Sequence, residues 1–430
     1  MARAKKEAAL TPEERLQAAL VPDWEWPYKL PENWCWLKLV ESFDNHTDSK
    51  KKIKQKDYLV KGKLAVVDQG QELIGGYTND VEKSYSGALP IVIFGDHTRC
   101  IKFVDFPFAQ GADGVKVLRP KPFYLPKAFY YALQSVNIPN LGYRRHFPLF
   151  NKFSIPLPPF AEQQRIVGRI ESLFAKLDEA KEKAQAVLDS FETRKAAILH
   201  KAFTGELTAK WREEHGVSID NWKTTRFDSV AAIRSNLVDP AEYQSFPHIA
   251  PDNIEKKTGV LLEYHTIAED GVTSGKHRFY SGQILYSKIR PYLSKAVVVD
   301  FDGLCSADMY PIEAYQNARC LWYYMLSDEF LLQASTAGSR SVLPKINQKE
   351  LSALTVHLPT NDREQEEIAR ILDELFDKEQ QTKEAAEVVL DQIDLMKKSI
   401  LARAFRSELG TNDPSEESAV ELLKEIIRRG

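Results

Sequence analysis

The sequence predicts an α/β protein. Two globular domains of mixed short strands are joined by two long antiparallel coiled-coil helices in a pseudo-twofold arrangement. Three observations predict it. A helical passage is written twice at an offset of 202 residues (376 − 174) and without a gap. One copy runs from Gln163 to Phe174 and on to Ala202–Leu207, the other from Gln365 to Phe376 and on to Ala404–Leu409. Each copy follows a Leu-Pro pair, Leu157-Pro158 or Leu358-Pro359, and each pair closes a stretch of globular texture. Those stretches open alike, on Asn33-Trp34 and Asn221-Trp222.

The chain divides accordingly: 1–30, an N-terminal helical segment and linker; 31–156, the first globular domain; 157–209, the first long helix and spacer; 210–357, a connector and the second globular domain; 358–409, the second long helix; 410–430, a tail with a short helix. Thr11-Pro-Glu-Glu carries a helix N-cap, a first-turn proline and an acidic first turn. Strand-like runs in the first domain are Leu64–Val67, Leu89–Phe94, Ile101–Val104 and Gly114–Leu118, followed by a helix over 126–134. In the second they are Ile284–Ser287 and Lys295–Val299, with one helix from about Ala318 to Gln333 capped by Asn317. The short helical segments at the two ends of the chain are expected to meet.

The long helices carry apolar residues in alternating steps of four and three, as a coiled-coil seam requires. In the first copy these are Ile166, Ile170, Leu173, Leu177, Ala180, Ala184, Val187, Phe191, Arg194 and Ile198, with Arg194 the polar member. In the second they are Ile368, Leu372, Leu375, Glu379, Thr382, Ala386, Val389, Ile393, Met396 and Ile400, where Glu379 and Thr382 weaken the middle. About 38 residues at 1.5 Å each make a rod of roughly 57 Å. An amphipathic helix is unstable alone, and the duplication supplies each copy with a partner. Packing on the adjacent domain and homodimerisation are the alternatives.

Composition is that of a soluble globular protein, 43% hydrophobic and 28% charged, with net charge −3. Charge is unevenly spread. Residues 30–155 hold 18 Lys/Arg against 12 Asp/Glu, and residues 220–355 hold 14 against 16. The first domain therefore favours a phosphate-bearing partner. Met1–Glu7 is charged with no apolar run behind it, and no segment approaches a membrane span, so a cytoplasmic location is expected. Cys35, Cys100, Cys305 and Cys320 form neither a Cys-x-x-Cys pair nor a zinc-ligand spacing. Gly271-Val-Thr-Ser-Gly-Lys-His277 fails as a phosphate loop: it has three residues between the glycines, and His stands where Ser or Thr must hold magnesium. Leu157-Pro-Pro-Phe160 lacks the leading Asn of the amino-methyltransferase tetrapeptide. No dinucleotide loop, nucleophile elbow or metal helix is present. Catalysis is not expected, and binding is.

Candidate DNA contacts sit on polar turns that mix cations, amides and aromatics. In the first domain they are Lys50, Lys52, Lys54, Gln69, Gln71, Tyr77, Arg99, Gln110, Arg144 and Arg145. In the second they are Ser274, Lys276, His277, Lys288, Arg290, Tyr292, Ser339, Arg340 and Lys345. For each the competing reading is a solvated loop.

The chain resembles the specificity subunit of type I restriction–modification systems. The resemblance rests on the Glu162-Gln163-Gln-Arg-Ile and Glu364-Gln365-Glu-Glu-Ile helix starts and on the Phe203-Thr-Gly-Glu-Leu207 exit. It is reinforced by Asp68-Gln-Gly-Gln, Gly142-Tyr-Arg-Arg, Tyr286-Ser-Lys-Ile-Arg-Pro and Gly338-Ser-Arg-Ser-Val-Leu-Pro-Lys-Ile-Asn347. It implies two target recognition domains, each reading half of a bipartite duplex DNA site. The paired helices would set the spacer and dock two methyltransferase (modification) subunits, with restriction/translocase subunits joining them. S-adenosylmethionine, ATP and magnesium would belong to those partners. The competing functions are a coiled-coil scaffold without DNA contact and a self-contained methyltransferase or nuclease.

Overall fold

The computed structural model describes residues 11–337 and 344–429. Its helices, in chain order, are α1 (Pro12–Ala19), α2 (Pro126–Ser135), α3 (Phe160–Asp189), α4 (Phe191–Phe203), α5 (Ala209–His215), α6 (Ala318–Met325), α7 (Asp328–Ala337), α8 (Gln348–Ala353), α9 (Asp362–Ala404) and α10 (Ala419–Arg429). α1 starts on a reciprocal cap. The Thr11 hydroxyl accepts from the Glu14 amide, and the Glu14 carboxylate accepts from the Thr11 amide.

Two helices differ from expectation. The segment expected as one helix over 318–333 is two, because Ser327 donates its hydroxyl to the Tyr324 carbonyl and accepts from the Phe330 amide. Ser327-Asp328-Glu329 is itself a helix start signal. The first long helix breaks at Ser190, whose hydroxyl bonds back to the Ala186 and Val187 carbonyls. Such back-bonding bends a helix. The matching position in α9 is Gln392, and α9 runs unbroken.

The buried stripe also departs from the heptad. From Ile166 it passes through Ile170, Leu173, Leu177, Ala180, Ala184, Leu188, Phe191, Lys195, Leu199 and Ala202, ten steps over 36 residues. The matching stripe runs from Ile368 to Ala404 through Lys383, Leu390, Lys397 and Leu401. This is the 3.6 period of a straight helix, which gains a residue on the 3.5 heptad over this length. So Leu199 is 2% exposed where Ile198 is half-buried, and Val389 is 40% exposed where a seam residue was expected. Val187 and Ile400 are half-buried as well.

The chain separates into two compact units, one holding residues up to 183 and from 389 onward, the other holding 184–388. In the first unit the strands are β1 (Cys35–Lys38), β2 (Phe43–Asn45), β3 (Leu64–Val67), β4 (Gly76–Thr78), β5 (Ile91–Gly95), β6 (Ile101–Val104), β7 (Phe108–Gln110), β8 (Val115–Pro120) and β9 (Ser154–Leu157). They form the pair β1-β9, the sheet β2-β8-β5-β6 and the sheet β4-β3-β7. The core joins Trp34, Phe94, Phe129 and Phe150 to Ile166 and Ile170 of α3 and to Leu401 and Ala404 of α9, with Phe405 just beyond it. Ala19 of α1 and Leu423 of α10 lie in the same core, so the first and last described helices pack together.

In the second unit the strands are β10 (Trp222–Arg226), β11 (Ala231–Ile233), β12 (Leu237–Val238), β13 (Pro247–Ile249), β14 (His265–Thr266), β15 (Lys276–Phe279), β16 (Ile284–Ser287), β17 (Ala296–Val298), β18 (Gly303–Cys305), β19 (Met309–Ala314) and β20 (Thr355–Pro359). They form the pair β10-β20, the antiparallel sheet β11-β19-β16-β17 and the mixed sheet β12-β15-β18-β13-β14. Leu199, Ala202 and Phe203 of α4 share the main core with Ile368 and Leu372 of α9. Here Arg194 and Glu379, polar members of the two expected seams, pair with each other at 2.8 Å. Glu379 is therefore matched by a charge, whereas Thr382, the other weak position read from the second copy, is exposed and turns its hydroxyl back onto the Lys378 carbonyl.

Each unit fastens its sheets to its long helix by the same joint. Gln163 accepts the Leu125 amide at the start of α2, and Gln365 accepts the Asn317 amide at the start of α6. Lys127 pairs with Glu171, and Arg319 with Asp373. Tyr131 meets Phe174 edge-on, and Tyr323 meets Phe376. A lysine from the opposing long helix covers each of these phenylalanines, Lys397 over Phe174 and Lys195 over Phe376. Glu171/Asp373, Phe174/Phe376 and Lys195/Lys397 all lie 202 residues apart. The contacts run antiparallel, since residues later in the first copy meet residues earlier in the second.

A buried glutamate closes each neck. Glu364 accepts from Thr208 Oγ1 (2.8 Å), Arg212 Nη1 (2.7 Å), Asn221 Nδ2 (3.0 Å) and Trp222 Nε1 (3.0 Å). Glu162 has less: Thr411 Oγ1 at 2.9 Å, Trp34 Nε1 at 3.4 Å and Arg165 at 3.8 Å. Burial pushes both carboxyls up. At Glu364 the four donors overcome it and hold the pKa below the usual carboxylate value, whereas at Glu162 burial wins and the pKa is raised.

The helix exits match as well. Glu206 N donates to Lys201 O and Glu408 N to Arg403 O, around Gly205 at φ +77° and Ser407 at φ +60°. A left-handed C-terminal position favours glycine. Ser407→Gly is expected to stabilise the protein by about 0.5–1 kcal/mol, read as a rise in melting temperature. No change, or a fall, would show that the Ser407 side chain compensates for its backbone.

Candidate nucleic-acid interface

In the first unit the sequence-predicted residues gather around the turns that end β3, β5 and β7, the last of which leads into β8. Gln69 Oε1 accepts the His97 amide at 3.1 Å, and the Thr98 hydroxyl donates to the Gln69 carbonyl. Gly114, at φ +77°, completes the contact: a Cβ there would stand 2.6 Å from Gln69 Oε1 and 2.7 Å from the His97 ring. The basic loop 141–145 is clamped from behind. Buried His146 donates Nδ1–H to the Asp96 carbonyl and accepts the Leu141 amide on Nε2, while Asp96 Oδ1 accepts the Phe147 amide. Arg144 and Arg145 project from this clamp, exposed and without a hydrogen bond or ion pair among the described residues.

The lysine-rich loop stands beside the same turns. Ile53 bridges to Gly111, and the Asp48 carboxylate caps Lys50. The ammonium groups of Lys50, Lys52 and Lys54 have no ion-pair or hydrogen-bond partner among the described residues, and Tyr77 lies half-buried on β4. Cations left unpaired on one set of turns form the electrostatic footprint expected for a phosphate backbone.

Three first-unit residues have other duties. Gln110 is 4% exposed and its Oε1 accepts the Asp48 amide, so it orders the lysine loop from inside. Arg99 sits at φ +61° and donates to the Ile138 carbonyl. Gln71 lines a separate groove with Cys100, Gln134 and Lys398.

In the second unit Arg290, Tyr292 and Lys345 form an exposed cluster beside half-buried Lys288, whose ammonium donates to the Ala307 carbonyl at 2.6 Å. Arg290 holds a left-handed backbone, φ +48°, directly before Pro291, and its amide donates to the Pro344 carbonyl at 2.7 Å. An ordinary residue there stores about 1–3 kcal/mol of strain, and such outliers gather at functional sites. The bridge between Ile289 and Lys345 holds it in place. Asp308 lies between Lys345 (3.3 Å) and Lys288 (3.9 Å), leaving the Arg290 side chain exposed and unpaired among the described residues. Tyr292 is 48% exposed beside it. Ser339 and Arg340 lie outside the described residues.

Lys276 and His277 are corrections. Both are buried: Lys276 donates to the Ser274 hydroxyl at 2.7 Å, and burial lowers the pKa of each, helped at His277 by Lys288. β15 is covered on both faces, so its successive polar side chains are enclosed whichever way they point. The neighbouring Arg278 was missed. Its guanidinium lies over the rings of Tyr280 (4.9 Å), Tyr243 (5.3 Å) and Phe246 (6.0 Å). The Arg-Phe-Tyr run at 278–280 was its one sequence signal. Among the described residues no His/Cys/Asp/Glu cluster suits a metal ion, and no helix is long and apolar enough to cross a membrane.

Residues 219–389 match the family model of the type I restriction modification DNA specificity domain. The type I restriction enzyme EcoDI specificity subunit of Escherichia coli is 38% identical over 318 residues, which cover 67% of this chain and 71% of that subunit. The chain belongs to the family of type I restriction enzyme specificity subunits. The EcoKI specificity subunit of Escherichia coli strain K12 is 25% identical over 289 residues, 60% of this chain and 58% of its own length. The HsdS subunit of Thermoanaerobacter tengcongensis shares the fold at TM-score 0.57 and 18% identity, over 90% of this chain and all of that one. A chain from a type I restriction–modification structure addressing complex assembly and conformational transition does so at TM-score 0.60 and 18% identity, over 89% of this chain and all of that one. Membership assigns the specificity subunit to DNA recognition, not to catalysis, and the small mixed sheets on long helices are this family's fold.

Proposed function

We propose that the chain reads a bipartite duplex DNA site in the cytoplasm. One target recognition domain, 31–156, takes one half through Lys50, Lys52, Lys54, Gln69, Arg144 and Arg145. The other, 210–357, takes the second half through Arg290, Tyr292 and their neighbours. The observation that carries this reading is that each unit holds turn cations without a partner among the described residues, Lys50, Lys52, Lys54, Arg144 and Arg145 in one and Arg290 in the other, on turns braced by the Asp96–His146 contacts and by the Arg290–Pro344 backbone bond. The long helices set the interval between halves and dock two modification subunits, which restriction subunits join. Val388, Leu395 and Met396, each about half exposed on α9, support a partner there. S-adenosylmethionine, ATP and magnesium act in those partners.

The test is a genome-wide map of methylated positions with the modification subunits present, with and without this chain. The bipartite pattern is expected to require it. Arg290→Ala is expected to weaken or relax one half by roughly 1–3 kcal/mol, and Arg145→Ala to reduce the salt dependence of binding by about one unit of slope. Equal loss of both halves in Arg290→Ala would contradict two independent readers.

A further inference from the structure

Tyr143 is 84% exposed. It is not loosely held. One face lies on the His97 imidazole, with centroids 4.8 Å apart and planes 14° from parallel. His97 Nδ1 stands 3.3 Å from the Tyr143 carbonyl and donates to it. The His97 amide is itself bonded to Gln69, and the Gly142 amide is held by Asn140 Oδ1 at 3.0 Å. The Asp96–His146 clamp fixes the base of the loop. One face of the ring is therefore backed and the other open, and Arg144 and Arg145, whose guanidinium groups have no partner among the described residues, follow it in the chain.

We propose that Tyr143 is a stacking platform for a nucleobase: its open face takes one base of the half-site read by the first unit, parts that base from its neighbour, and so sets preference at that step. This rests on the DNA-reading function proposed above. The chemistry is that of a π-face against a π-face, sequence-tolerant in itself. Selectivity enters through the DNA, because pyrimidine–purine steps unstack most readily and would be favoured at this position. Prior ordering by His97 removes the entropy that a free tyrosine would lose on binding. Arg144 and Arg145 supply the phosphate attraction that holds the opened step. His97 is a positioning residue, touching the tyrosine and not the base.

The test uses the full chain with its modification subunits, bound to duplexes carrying the recognition sequence mapped from methylation. 2-Aminopurine is placed at each position of the half-site in turn. Fluorescence is expected to rise at one step on binding. Tyr143→Ala should abolish that rise and weaken binding roughly 5- to 100-fold while leaving the salt slope unchanged, since no charge is removed. Tyr143→Trp should keep the signal, and His97→Ala should reduce it. Tyr143 is exposed, so these variants are expected to fold, and retained binding at the other half-site verifies it. Duplex binding with flat fluorescence at every position, or a Tyr143→Ala profile and methylation pattern equal to the wild type, overturns the platform and leaves the DNA-reading assignment standing. A wild-type complex that binds no duplex overturns that assignment and the platform with it.

Discussion

Glu364→Gln is expected to destabilise the second unit by about 3–5 kcal/mol, the cost of leaving one partner of a buried ion pair behind. Arg212 is the partner left, its side chain 11% exposed. Both carboxylate oxygens of Glu364 face donors: Thr208, Arg212 and Trp222 on one, Asn221 on the other. Whichever oxygen becomes an amide nitrogen meets another donor. For a unit of this size the melting temperature should fall by roughly 10 °C. Glu162→Gln removes the duplicated residue from the other neck, where burial already raises the carboxyl pKa. It should stay within about 1 kcal/mol of wild type.

The pH dependence has opposite sign at the two sites. Glu364, depressed in the folded state, contributes stability above its unfolded pKa that is lost as pH falls through the folded value. Glu162, raised when folded, contributes most at low pH and loses that contribution as pH rises through its folded pKa. Melting curves of the two variants between pH 3 and pH 8, the window spanning ordinary carboxyl values, measure both. Equal losses at neutral pH would refute the asymmetry.

The second large effect separates two periodicities. Leu199→Asp is expected to cost more than about 4 kcal/mol and abolish soluble expression, because a charge replaces a 2%-exposed side chain in the core. Ile198→Asp, one residue earlier and half-buried, should cost about 1–2 kcal/mol. The same contrast is expected between Leu401 and Ile400, their counterparts 202 residues later. If Ile198→Asp proved the more damaging of the pair, the helices would follow the supercoiled heptad and not the straight helical period.

What sequence reading recovered is what repeats or alternates locally. The 202-residue offset located both long helices, and β3, β6 and β16 were found with their observed limits, Leu64–Val67, Ile101–Val104 and Ile284–Ser287. The fine register of the stripes was not legible, because 3.5 and 3.6 residues per turn differ by one position only after several turns. Nor was the joint, whose sheet-side members Lys127 and Arg319 are 192 residues apart (319 − 127) while their helix partners are 202 apart. Among the candidate contacts, Arg144, Arg145 and Arg290 are exposed and unpaired among the described residues, while Gln110, Lys276 and His277 are interior. Residue type gave these polar side chains as contacts, but tertiary burial decides whether one faces a ligand or a neighbour.

The discontinuity of the first unit bears on how the molecule is made. Its sheets and α3 leave the ribosome early, yet Leu401, Phe405 and Leu423 of its core come 231 or more residues (401 − 170) after Ile170. At synthesis rates of about 5–20 residues per second, Ile166 and Ile170 wait roughly 12–50 seconds for their cover. The second unit is contiguous in sequence and can close while the chain is still being extended. The specificity subunit thus completes its first unit last, and during that interval the apolar flank of α3 waits uncovered.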